Sequence, residues 1–137
     1  MRTLIFILGI LLSPLSEAAG LLVIASPQVP VEKITLAQLS DIYALKKTQW
    51  PNQIPMVPVN REANSNERDD FSDAVFNMSS QELSEFWNKL RFEGKHPPLT
   101  QISDLAVVGF VRNVPGAIGY VSADEVPMGV KILLRLQ

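Results

Sequence analysis

The sequence has no cysteine and only one histidine, His96. Without cysteine there is no disulfide, no thiol nucleophile and no lipoprotein anchor, so packing and hydrogen bonds must hold the fold. His96 stands in the loop "KHPP" with no second histidine to join it, which argues against a zinc site and leaves any serine nucleophile only one candidate histidine base. The patterns Gly-x-Ser-x-Gly, His-Glu-x-x-His and the phosphate loop are all missing. No enzymatic activity, metal or cofactor is therefore expected. Asp69, Asp70 and Asp73 lack the alternating spacing and the glycine of a calcium loop, and read as a solvated helix face. Neither sign of charge dominates: 12 Lys and Arg stand against 14 Asp and Glu, a net charge of −2. With no basic field, nucleic acid is not an expected partner, and any anion site must be local.

Long apolar runs are also scarce. Residues 4–12 form one, behind Arg2, but it stops at Ser13-Pro14 and is too short for a bilayer, which needs about 20 residues. With Ser16-Glu17-Ala18 as a small-x-small cleavage site, residues 1–18 read as a cleaved secretory signal. The expected product is one periplasmic domain, 19–137, with no membrane span.

The rest of the chain alternates strand and helix signals. "LLVIA" at 21–25 is a continuous apolar run stopped by Pro27, the pattern of an internal strand. Thr35 and Gln38 form a capping box with Ile34 and Leu39 as hydrophobic staple, predicting a helix with Leu36, Leu39, Ile42 and Tyr43 inward. Trp50, in a polar, proline-bounded connection, reads as a lid over the core. Residues 56–60 read as a strand in which Pro58 demands an edge or a bulge. A helix starting at Asn64 or Ser65 buries Phe71, Ala74, Val75 and Met78, and Ser79 with Glu82 opens another, carrying Leu83, Phe86, Trp87 and Leu90. A helix from about Ser103 to Asn113 is expected to turn Leu105, Val108 and Val111 inward, followed by a short strand at 117–121 and a last strand "VKILLRL". Strands 21–25, 56–60 and 117–121 should share one sheet in an α/β fold.

The segment "VNREANSNERDDF" carries the candidate chemistry. A strand end, Arg61, a polar loop and a helix start suit an anion, because a helix N-terminus presents free N–H groups and Arg61 adds a fork of donors. Ser65 can cap or donate, and helical spacing places Arg68 on the apolar stripe toward the same mouth. On the residues alone a second reading stays open: Arg68 pairs locally with Glu67, Asp69, Asp70 or Asp41, as surface charges commonly do.

Residues 34–71 followed by "PGAIGYV" resemble the middle portion of the periplasmic phosphate-binding proteins of ABC transporters, more closely their short single-domain relatives. Arg61 matches the arginine that ends a strand, Ser65 the serine of the Ser-Gly-Thr helix start, and Gly116 to Tyr120 the later Gly-x-Ile-Gly-Tyr strand. The resemblance implies one periplasmic-binding-protein-like lobe with a mixed sheet flanked by helices. It also implies phosphate or a similar small oxyanion as ligand, and a membrane transporter or sensor component as partner. Arg61 and Arg68 become charge clamps, Ser65 a hydroxyl donor, the amides of Asn66 and Glu67 a cradle, and Ser26 a fourth contact. Asn66 and Glu67 replace the family's Gly and Thr, which sets a carboxylate beside the anion and weakens its capture. The alternative is a ligand-free interaction or sensory module that keeps the fold. On the ligand reading, removing Arg61 costs affinity and barely touches stability.

Overall fold

The computed structural model describes residues 20–137; the segment 1–18 read as a signal lies outside the described residues. The order is β1 (Leu21–Ala25), α1 (Leu36–Tyr43), β2 (Val57–Arg61), α2 (Asn66–Phe76), α3 (Ser80–Phe92), β3 (Leu99–Gln101), α4 (Asp104–Asn113), β4 (Ala117–Ser122) and β5 (Lys131–Leu136). The strands form one sheet in the order β3-β2-β4-β1-β5. β2 runs parallel to both β3 and β4, whereas β1 is antiparallel to both β4 and β5. The fold is α/β with a mixed sheet, and the three strands expected to share it do so.

Strand alternation sorts the core into two faces. Leu21, Val23 and Ala25 point to one side, where they pack with Leu39, Ile42 and Tyr43 of α1 and with Phe71 and Val75 of α2. Leu22 and Ile24 point to the other, against Val107 and Val111 of α4. β1 is buried along its whole length, as its unbroken apolar run requires. Trp50 is buried as a lid, and its indole N–H donates to Gly116 O at 2.9 Å. Gly116 itself has φ 80°, and a Cβ there would lie 2.1 Å from Pro55 O, so the turn into β4 requires glycine.

The helix starts follow their capping residues. Thr35 and Gln38 make the full reciprocal box of α1, and Ser65, Ser79 and Ser103 each accept from the amide three residues on. Three expectations need correction. The inward stripes are narrower than expected: Leu36 is 44% exposed because α1 meets the core through Leu39, Ile42 and Tyr43, and Leu105 is 84% exposed because α4 meets the sheet through Val107 and Val111, one turn apart. β3 was not expected: it is a three-residue, mostly exposed edge strand with no apolar alternation. Pro58 sits neither on an edge strand nor at a bulge. β3 pairs with β2 only from Val59 onward, so at Pro58 that flank has no ladder to interrupt.

Candidate functional site

The connection leaving β2 passes through α2 and α3 to β3 on one side, and β3 returns through α4 to β4 on the other. The carboxyl end of β2 is thus the switch point of the sheet, where open α/β sheets place ligands. Two helix N-termini, those of α2 and α4, open at this edge.

Arg61 is the last residue of β2 and is buried, with its side chain 9% exposed. Its Nε and Nη2 donate to the two carboxylate oxygens of Glu62, both at 3.1 Å, and Nη1 donates to Asp104 Oδ1 at 2.6 Å. Glu67 approaches Nη2 at 3.8 Å. Asp104, the first residue of α4, is held in turn by the Ser122 amide and hydroxyl at 3.2 and 2.7 Å. Hydrogen bonding to Glu62, reinforced by the nearby acids, raises the Arg61 pKa; the same bond holds the Glu62 carboxyl below the usual carboxylate range.

Beneath the arginine lies a buried polar network. The Arg61 amide donates to Asn60 Oδ1 at 3.0 Å and to the Tyr120 hydroxyl at 3.1 Å, and that hydroxyl donates to Asn60 Oδ1. Burial raises the Tyr120 pKa, so the hydroxyl keeps the proton it donates. The Tyr120 ring stacks on Phe71 with centroids 3.9 Å apart, and Tyr43 meets Phe71 edge-on at 4.6 Å. The backbone that presents Arg61 is therefore locked by hydrogen bonds and by aromatic packing.

The expected site residues divide as follows. Arg61, Ser65, Asn66, Glu67 and Arg68 come together at this corner. Ser65 caps α2 by accepting from the Arg68 amide at 3.1 Å while its hydroxyl donates to Glu62 O at 2.9 Å. Arg68 turns back onto the strand end, with Nη1 donating to Arg61 O at 3.0 Å. It forms no ion pair among the described residues, so pairing with Glu67 or Asp69 is not its role. The amides of Asn66 and Glu67, in the first turn of α2, have no acceptor among the described residues. Ser26 does not belong here. Ala25 and Pro58 both lie level with Ile118, and β1 runs opposite to β2, so Ser26 and Arg61 are separated by four strand steps, roughly 13 Å. The Ser26 hydroxyl donates to Gln28 Oε1 instead. Sequence reasoning missed Asp104 and Glu62; only the pairing of unforeseen β3 with β2 brings the start of α4 to Arg61.

No family model and no curated protein matches the chain. Solved structures do. A phosphate ABC transporter substrate-binding protein from Clostridium perfringens, described as holding bound phosphate, is 28% identical with a TM-score of 0.68 over 84% of this chain and 44% of that one. The chain has the fold of the phosphate-binding proteins of ABC transporters. An ABC-type phosphate transport receptor from Vibrio cholerae (22% identity, TM-score 0.67) and PstS from Borrelia burgdorferi (20%, 0.66) share the fold over 84% of this chain. The chain spans only 44%, 45% and 46% of these three relatives. Among the described residues, no helix is long and apolar enough to cross a membrane. At this corner three acids, Glu62, Glu67 and Asp104, surround one arginine.

Proposed function

We propose that this chain is a non-enzymatic, periplasmic solute-binding module that recognises a phosphate-like oxyanion weakly at the β2–α2 corner, in exchange for its own Glu62. One observation carries the reading: the Glu62 carboxylate occupies the Arg61 fork in the two-point manner an oxyanion would use, beside the unpaired amides of Asn66 and Glu67. An incoming anion takes over the fork from Glu62, while Asp104 keeps the guanidinium in place through Nη1. Arg68 adds positive charge, and Ser65 becomes a donor once its hydroxyl leaves Glu62 O. Competition from Glu62 and repulsion from Glu67 make the affinity low, on the order of millimolar. The fold's relatives that bind phosphate support the class of ligand, and a transporter or sensor component is the expected partner.

Calorimetric titration with phosphate, sulfate and molybdate tests the reading when wild type is compared with Glu62→Gln. Removing the competing carboxylate should raise affinity by on the order of tenfold. If neither protein binds any of the three anions at millimolar concentration, the oxyanion reading fails. The three acids around Arg61 favour a second reading in that event: the fold retained as a ligand-free interaction module.

A further inference from the structure

On the side of the sheet covered by α4, that helix and the β4–β5 loop enclose an open groove of about 620 Å³. Leu105 and Val108 from the helix and Val126, Pro127 and Met128 from the loop supply its apolar walls, and Arg112 and Ser122 are part of its polar lining. Leu105, Val126 and Met128 are 84%, 64% and 83% exposed. Exposed apolar residues scattered singly need no explanation, but these converge on one concavity of ligand-pocket size. The loop is also fixed in place. Arg112 donates from Nε and Nη2 to Met128 O at 3.2 and 2.6 Å, and a Cβ at Gly129 would lie 2.8 Å from Arg112 Nε.

The rim supplies the second half of the argument. Asp124 and Glu125 are exposed and enter no ion pair among the described residues, and Asp104 closes the end nearest Arg61. The lining thus holds three carboxylates against one cation, Arg112, which is engaged by Met128 O, and apolar walls under exposed Asp124 and Glu125 suit a partner with apolar side chains next to positive charge. The same carboxylates disfavour anionic lipid.

We propose that this groove docks a short amphipathic segment of another protein, with apolar side chains against Leu105, Val126 and Met128 and Lys or Arg against Asp124 and Glu125. The mode is that of an amphipathic segment laid in an apolar groove. It needs no anion at the Arg61 corner and stands or falls separately from it.

The test pans a random dodecapeptide phage library against the protein, with the double variant Leu105→Asp/Met128→Asp for counter-selection. Both side chains are exposed, so the double variant should fold, and circular dichroism checks this. Selected peptides should combine several apolar residues with Lys or Arg. By fluorescence anisotropy they should bind the double variant at least about tenfold more weakly, and Glu125→Lys should weaken them roughly threefold and flatten their salt dependence. No enrichment, enrichment without basic residues, or equal binding to the variants would overturn the proposal. Concentration-dependent dimerisation abolished by Leu105→Asp would overturn it in favour of a second copy, and binding to neutral lipid vesicles abolished by the same change would do so in favour of a membrane.

Discussion

Replacing Arg61 by alanine should lower stability markedly, contrary to what the ligand reading of the sequence led us to expect. The guanidinium is 9% exposed and joins two parts of the fold, Glu62 beyond β2 and Asp104 at the head of α4. Its removal breaks the 2.6 Å bond to Asp104 and leaves three carboxylates facing one another. Losing one partner of a fully buried pair costs about 3–5 kcal/mol, but these carboxylates are 31–36% exposed and recover hydration, which reduces the figure to about 2–3 kcal/mol. For a domain of this size, that corresponds to a fall in Tm of roughly 8–12 °C. Thermal unfolding of the protein at neutral pH, followed by circular dichroism, measures it directly. Arg61→Lys, which keeps the charge but not the fork, should fall between the two. A Tm for Arg61→Ala within about 2 °C of wild type would show that the carboxylates do not depend on the arginine, and the structural role assigned to it would be wrong.

Two further outcomes follow from the same cluster. Tyr120→Phe removes the hydroxyl that Arg61 N–H and Asn60 share, and should cost about 1–3 kcal/mol in urea denaturation without altering the stacked ring; an unchanged midpoint would contradict the network. Glu62 titrates below the ordinary glutamate value of about 4.3, so its stabilisation is complete above that value and is lost as pH falls through the depressed native pKa. The stability difference between wild type and Glu62→Gln should therefore be constant near neutrality and close on acidification; a constant difference down to the acid limit would refute the pairing.

Local signals were legible where a short-range mechanism set them. The Thr35–Gln38 box, the serine caps of α2, α3 and α4, the unbroken run of β1 and the Trp50 lid all depend on neighbours in sequence or on plain hydrophobicity. What could not be read depends on distant pairing. β3 is a strand only because β2 offers it a ladder, and without β3 nothing indicates that Asp104 reaches Arg61. On α4, Val111 is inward as its spacing indicates and Val108 packs on the same cluster, but Val107 takes the place expected of the equally apolar Leu105, because Gly119 lets Val107 and Val111 approach the sheet closely. Ser26 follows a strand as the site loop does, but β1 runs antiparallel to β4 and β2 and carries it to the opposite end of the sheet.

The central claim, that an oxyanion docks at the start of α2, is tested most directly by titrating phosphate into ¹⁵N-labelled protein and following the backbone amides by NMR. The account predicts saturable shifts centred on Asn66 and Glu67, extending to Arg61 and Arg68, with about tenfold tighter saturation in Glu62→Gln. Shifts concentrated elsewhere, or none in either protein at millimolar phosphate, would contradict it.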